Sequence, residues 1–292
     1  MAGNPELDPV SGIYTTGHEW DGIKELNTPL PSWWVWIFYG TIIWAVIYMI
    51  VYPSIPLGGT WTNGVLGWNS RTVLEEELAA AKAMHAPNVD KIAAMSVEEV
   101  LADDALSSYA QRGGEVIFKE NCAPCHQTGG AGVAGIYPTL VDDEWIWGGT
   151  AEAIEYTVTH GIRNANYEDA RVNDMPSFDD QLSDEEIDAV ADYVVAASTG
   201  ASLPEGLGQE VFVDNCAACH NADYDGAEPN GNVDMGGPAL NNAIWLYDGS
   251  KAGIINQIRY PRNGVMPGFG LRLSETDIKQ VSVYVHTRGG GQ

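Results

Sequence analysis

The chain has 292 residues, a length that favours two domains over one, and its 45% hydrophobic content is typical of a folded protein. Forty acidic residues face fourteen basic ones, giving a net charge of −26. This balance argues against nucleic acid as a partner, because a phosphate backbone is bound by Lys and Arg. It suits a surface that attracts a basic protein, and equally a surface whose acidity only keeps the protein soluble.

The first predicted element is a membrane-spanning helix at residues 33–52, after a short segment at 1–32. Its sequence, WWVWIFYGTIIWAVIYMIVY, lies in a stretch without Asp, Glu, Lys or Arg from Leu26 to Ser70. Twenty residues at about 1.5 Å each cover the roughly 30 Å of a hydrocarbon core. Trp at one end and Tyr at the other are typical of the two membrane interfaces. The lack of a small-residue cleavage site behind it favours an uncleaved anchor over a signal peptide.

Residues 53–109 are predicted to connect this anchor to the rest of the chain. The Gly-, Pro- and Trp-rich part at 53–70 is expected to be irregular. Helices are predicted at 71–84 and 96–113, the second opened by a capping box of Ser96 and Glu99.

Two sequence repeats follow, at 110–200 and 201–292. Each contains a Cys-x-x-Cys-His motif, CAPCH and then CAACH 94 residues later, and these motifs contain every cysteine of the chain. Each ends with apolar residues at three- and four-residue steps, which predicts an amphipathic helix behind an N-capping Ser183 or Ser274. The matching pairs include Phe118/Phe212, Trp145/Trp245, Ile187/Ile278, Val190/Val281 and Tyr193/Tyr284.

The repeated motif is the attachment sequence for c-type haem. Two thiols add across the two vinyl groups of the ring, and the histidine that follows lies under the iron. A zinc ribbon would need both cysteine pairs at one ion, and a thioredoxin-like pair would need a βαβ setting that the sequence lacks. We therefore expect two c-type haems in a mainly α protein, in which one N-terminal transmembrane helix precedes two tandem class I cytochrome c domains. The expected covalent and proximal residues are Cys122, Cys125, His126, Cys216, Cys219 and His220.

The second axial ligand of each iron is expected to be a methionine or a second histidine. Met175 and Met266 each precede Pro in a loop before the last predicted helix of their repeat, and they are 91 residues apart, as those helices are. Met235 has no counterpart in the first repeat. His160 is a weaker candidate, as a ligand or, with Arg163, as a partner of a haem propionate. We expect Met175 and Met266 to be the ligands.

The N-terminal sequence and the repeats together resemble one family. The lead-in GHEWDGIKELNTPLP, a single anchor with a YP exit, and two haem modules carrying MPSF and GVMPGF resemble the CcoP (FixP) subunit of cbb3-type cytochrome c oxidases over nearly the whole chain. The resemblance implies a non-catalytic subunit that passes electrons from a donor cytochrome c toward a proton-pumping haem–copper oxidase. The implied partners are the catalytic subunit, the monohaem cytochrome subunit and a small fourth subunit.

The resemblance also implies that the two methionines are exchanged, each serving the haem of the other module. Spacing alone leaves open which iron each methionine binds. Because haem is attached to thiols outside the cytoplasmic membrane in bacteria, both modules are expected in the periplasm, with 1–32 in the cytoplasm and the anchor in the inner membrane. Two alternatives remain: a free-standing membrane-anchored dihaem shuttle, and a dihaem peroxidase, which needs an iron with a displaceable ligand.

Overall fold

The computed structural model describes residues 3–226 and 235–289, so parts of the second repeat, 227–234 and 290–292, lie outside it. The chain divides into two compact units, Met1–Met84 and His85–Gln292. It is mainly helical, as predicted. The strands are β1 (Thr15–Trp20) and β2 (Ile23–Leu26), and the helices are α1 (Ser32–Val51), α2 (Ser70–Ala94), α3 (Val97–Ala102), α4 (Asp104–Asn121), α5 (Ala123–His126), α6 (Ala151–His160), α7 (Asp184–Thr199), α8 (Leu207–Asn215), α9 (Ala217–His220), α10 (Lys251–Arg259) and α11 (Glu275–His286).

The first unit begins with a β-hairpin that the sequence reading did not predict. Strands β1 and β2 pair antiparallel, with Trp20 opposite Ile23. The two turn residues, Asp21 and Gly22, have φ angles of 49° and 84°. Positive φ at both positions is typical of the tight turns that match the twist of a hairpin, and Asp-Gly favours them.

Helix α1 confirms the predicted apolar helix at 33–52 to within a residue. It is 20 residues long, and by length and composition it is able to cross a membrane. None of its residues is buried against the described parts of the chain. Its aromatic and aliphatic side chains therefore face outward over its whole circumference, as a helix surrounded by lipid requires.

The connector after α1 is irregular up to Asn69, as predicted, and it folds back on the end of the helix. The amides of Val65 and Leu66 donate to the carbonyl oxygens of Ile50 and Val51, at 2.9 and 3.2 Å. These two hydrogen bonds satisfy carbonyls that have no partner inside the helix.

The prediction of one helix at 96–113 is wrong, because the chain breaks at Asp103. Asp103 is extended, and its carboxylate accepts hydrogen bonds from the amides of Ala105 and Leu106, so it caps the new helix α4. Helix α4 then continues to Asn121, directly before the first cysteine motif. The predicted capping box of Ser96 and Glu99 is confirmed at the start of α3.

The second unit is organised by two close helix crossings. Helix α4 packs against α11, and α8 packs against α7. A Cβ atom added to Gly114 would lie 2.2 Å from the carbonyl oxygen of Gln280, and one added to Gly208 would lie 2.4 Å from that of Ala189. Glycine is therefore required in each crossing, because any side chain would force the helices apart.

Next to each glycine lies an aromatic pair of the same type. The rings of Phe118 and Tyr284 lie 5.3 Å apart in the first crossing, and those of Phe212 and Tyr193 lie 5.6 Å apart in the second. Both distances suit tilted aromatic packing.

Each apolar cluster combines residues of both sequence repeats, because the last helix of each repeat packs against the helix that precedes the cysteine motif of the other. One apolar cluster joins Phe118 of the first repeat to Ile278, Val281 and Tyr284 of the second. The other joins Phe212 of the second repeat to Ile187, Val190 and Tyr193 of the first. Both last helices begin at the predicted N-caps, Ser183 and Ser274.

Helix α11 differs from the predicted amphipathic helix in being buried on most of its circumference. A third cluster, formed by the end of α2 with α3 and α4, covers its other side through Val283. Lys279 is buried there, and its ammonium group donates to the carbonyl oxygens of Ala93 and Met95 and pairs with Glu275. The helices before the first repeat thus complete the burial of α11.

We expect Gly114→Ala and Gly208→Ala each to destabilise the haem-loaded protein by about 1–3 kcal/mol, because a Cβ overpacks the crossing. The matched control is Gly59→Ala, since an added Cβ at Gly59 meets nothing within 4 Å. Denaturant unfolding of the three purified variants measures the effect. Stabilities of Gly114→Ala and Gly208→Ala equal to that of Gly59→Ala would contradict the close crossings.

Candidate functional site

Each Cys-x-x-Cys-His motif forms a single turn directly after a helix. Cys122 follows α4, and its carbonyl oxygen accepts hydrogen bonds from the amides of Cys125 and His126, at 3.1 and 2.9 Å. Cys216 follows α8 and makes the same two bonds to Cys219 and His220 at 3.1 and 3.0 Å. None of the four cysteines forms a disulfide. Two thiols and one imidazole are therefore held on one turn in each motif, as thioether attachment of a haem requires.

Both motif histidines are fixed in the tautomer that binds a metal through Nε2. Nδ1 of His126 lies 3.0 Å from the carbonyl oxygen of Pro138, and Nδ1 of His220 lies 2.9 Å from that of Pro238. A carbonyl oxygen only accepts, so Nδ1 donates and the lone pair of Nε2 is free. Burial lowers the pKa of both imidazoles, which favours their neutral form.

The two cysteine pairs lie in different apolar clusters. Cys122 packs against the cluster of Phe118, and Cys216 packs against the cluster of Phe212. Because they lie in different clusters, the two pairs do not converge on one ion, which removes the zinc-ribbon alternative. Burial, with a smaller contribution from the second cysteine of each motif, raises the pKa of the Cys122 and Cys216 thiols to about 11.

Met266 of the second repeat lies in the cluster of the first motif. Like Cys122, it packs against the apolar cluster that contains Phe118. Its amide and carbonyl each form a 2.9 Å hydrogen bond with Ile162, directly after α6. Phe269 donates to the carbonyl oxygen of Val158 near the end of the same helix, at 2.9 Å.

Met175 of the first repeat lies, in the same way, in the cluster of the second motif. Like Cys216, it packs against the apolar cluster that contains Phe212. Its backbone amide donates to the side-chain oxygen of Asn263 in the second repeat at 3.2 Å, and its carbonyl oxygen accepts from the side-chain nitrogen of Asn263 at 3.1 Å. The two methionine loops are thus exchanged between the repeats together with the helices that follow them.

A buried polar atom supports the presence of a haem in the first cluster. The indole Nε1 of Trp145 is buried and has no hydrogen-bond partner among the residues that the structure describes. Trp145 packs against the same cluster as Cys122 and Met266. A buried donor without a partner is unfavourable in a protein, and the carboxylate of a haem propionate would accept a hydrogen bond from this N–H group. The residues of this site therefore fit a c-type haem.

The weaker candidates lie elsewhere. The His160 ring packs against Tyr156 and Tyr167, with ring centres 4.5 and 6.3 Å away. Met235 is half exposed, and its carbonyl oxygen and sulfur lie 2.7 and 3.8 Å from the side-chain nitrogen of Asn173. Neither residue is in a cluster with a cysteine motif among the described residues. This placement favours Met266 over Met235.

The polar residues that hold the methionine loops were not predicted from the sequence. Asn263 binds the backbone of Met175, and Arg259 pairs with Asp179 and Asp184 across the repeats. Ser177 also donates to the carbonyl oxygen of Arg259 at 2.6 Å. These residues lie close in sequence to the Met-Pro loops, which was the signal that could have found them. Their hydrogen-bond and ion-pair partners lie in the opposite repeat, so spacing within one repeat did not reveal them.

Comparisons with known proteins match three parts of the chain. A protein-family model described as the N-terminal domain of cytochrome oxidase-cbb3, FixP, matches residues 12–59. One described as cytochrome c oxidase, cbb3-type, subunit III, matches residues 110–194, and one for cytochrome c matches residues 206–289.

Curated relatives are similar over the full length. The Cbb3-type cytochrome c oxidase subunit FixP of Sinorhizobium medicae is 47% identical, with 98% of each chain covered. The FixP subunit of Bradyrhizobium diazoefficiens is 44% identical, with 100% of each chain covered. The CcoP subunit of an Azospirillum species is 44% identical, with 98% of each chain covered.

Proposed function

Because the chain belongs to the FixP/CcoP family of cbb3-type cytochrome c oxidase subunits, we propose that it receives electrons from a donor cytochrome c and passes them toward the catalytic subunit of its oxidase. The family identity predicted from the sequence is confirmed, as are the two cytochrome c domains and the two c-type haems that they imply. The protein is a membrane-anchored electron-transfer subunit of a respiratory complex.

The proposed axial ligands are His126 with Met266 for one iron, and His220 with Met175 for the other. One observation carries this pairing: each cysteine motif shares an apolar cluster with the methionine of the other repeat. The thioether links are assigned to Cys122 and Cys125 for the first haem, and to Cys216 and Cys219 for the second.

The chemistry supplied by each bound haem is the gain and loss of one electron at iron, with no substrate bond made or broken. The chain's own residues set the conditions for it. The carbonyl oxygens of Pro138 and Pro238 orient the imidazoles, and a methionine sulfur favours a high reduction potential. The apolar clusters around Phe118 and Phe212 exclude water, which further tunes that potential. Trp145 is proposed to donate to a propionate of the first haem.

The partners proposed for this chain are the catalytic haem–copper subunit, a monohaem cytochrome subunit and a small fourth subunit. To test the function, the protein is purified from membranes in mild detergent. We expect two haems c per chain by pyridine haemochrome, a sulfur-to-iron charge-transfer band, and co-purifying copper and b haems. A chain that purifies with its haems but without copper would instead favour the free-standing shuttle, and rapid peroxide turnover by it would favour the peroxidase.

The proposed topology places residues 1–32 in the cytoplasm, helix α1 in the inner membrane, and both haem domains in the periplasm. Haem attachment outside the cytoplasmic membrane supports this orientation. Protease added to intact spheroplasts should therefore degrade the haem domains and leave an N-terminal tag protected. Loss of the tag with intact haem domains would contradict the orientation.

A further inference from the structure

Three short segments meet between the two methionine loops. The segment Gly161, Ile162 and Arg163 follows α6, and Ile162 pairs on one side with Met266. On its other side the Arg163 amide donates to the carbonyl oxygen of Arg171 at 2.6 Å, and the Arg171 amide donates to that of Gly161 at 3.2 Å. The segment therefore lies between the chain that carries Met266 and the chain that leads to Met175.

The side chain of Arg163 binds both of these chains. Its Nε and Nη2 donate to the carbonyl oxygen of Asn173, at 3.0 and 2.7 Å, and its guanidinium pairs with Asp174. Its Nη1 donates to the carbonyl oxygen of Gly264 at 2.8 Å. Asn173 and Asp174 directly precede Met175, and Gly264 is two residues before Met266. One planar guanidinium thus fixes the approach to both methionines.

The surroundings of Arg163 hold it rigidly. Its side chain is only 17% exposed, and its guanidinium lies 5.5 Å from the centre of the buried Trp147 ring. Its φ angle of 51° is in the left-handed region, which is strained for a non-glycine residue. Such a conformation persists only where the neighbouring contacts impose it, and these contacts come from both methionine chains.

We propose that Arg163 is a positioning residue shared by the two haem centres, which holds both methionine loops in place. This rests on the proposed ligation by Met175 and Met266. A firmly held methionine sulfur favours the reduced form of the iron and so raises its reduction potential. Because Arg163 binds both methionine loops, this effect reaches both centres at once.

The test is Arg163→Gln in the complete oxidase, with a spectroelectrochemical redox titration of the two c-type haems. We expect both midpoint potentials to fall and the sulfur-to-iron band to weaken at both irons. Arg163→Lys should restore part of the loss, because Lys keeps the charge but not the forked donors that bind Asn173 and Gly264 together.

The matched control is Arg259→Gln. Arg259 pairs only with Asp179 and Asp184 among the described residues, beyond Met175 in the first repeat. Because Asp179 and Asp184 follow Met175, this variant should lower the midpoint potential of the haem of the second motif and leave that of the first motif unchanged. If Arg163→Gln shifts the midpoint potential of a single haem, or of neither, the shared role is overturned. If the unmodified protein lacks the sulfur-to-iron band, the proposed methionine ligation fails instead, so the two failures are distinguishable.

Discussion

The close crossing of helices from opposite repeats is the constraint on which the rest of the second unit depends. Gly114 lets α4 approach α11, and Gly208 lets α8 approach α7, at distances that leave no room for a Cβ atom. Because each methionine loop directly precedes the helix that crosses over, the crossing also decides which cysteine motif each methionine meets. The fold and the proposed ligand pairing are thus consequences of the same contact.

Much of this arrangement could be predicted from the sequence, because it is local. The anchor and the N-caps at Ser183 and Ser274 follow from periodicity and capping chemistry over a few residues. The hairpin at β1 and β2 was also accessible, since Asp21-Gly22 between a Trp and an Ile is a strong turn signal.

The exchange between repeats could not be predicted from spacing, because the two last helices present the same residues. Ile187, Val190 and Tyr193 match Ile278, Val281 and Tyr284, so either helix offers a suitable apolar face to α4 or to α8. The difference lies in contacts far apart in sequence. Lys279 reaches the end of α2, and Arg259 reaches Asp179 and Asp184, which only a folded chain brings together.

The exchange makes the two haem domains mechanically dependent on each other. Neither repeat contains its full proposed ligand set, and Asn263 and Arg163 bind the two methionine loops to one another. In an electron-transfer subunit this holds two centres in a fixed relation while the chain performs no bond chemistry itself. A rigid arrangement suits electron transfer, since little reorganisation then accompanies each change of oxidation state.

The most direct test of the exchanged ligands uses single-haem forms of the protein. In a background with Cys122→Ser and Cys125→Ser, only the haem of the second motif remains. With exchanged ligands, Met175→Ala then abolishes the sulfur-to-iron charge-transfer band, whereas Met266→Ala leaves it in place. The opposite result, with the band lost on Met266→Ala and retained on Met175→Ala, would contradict the exchange.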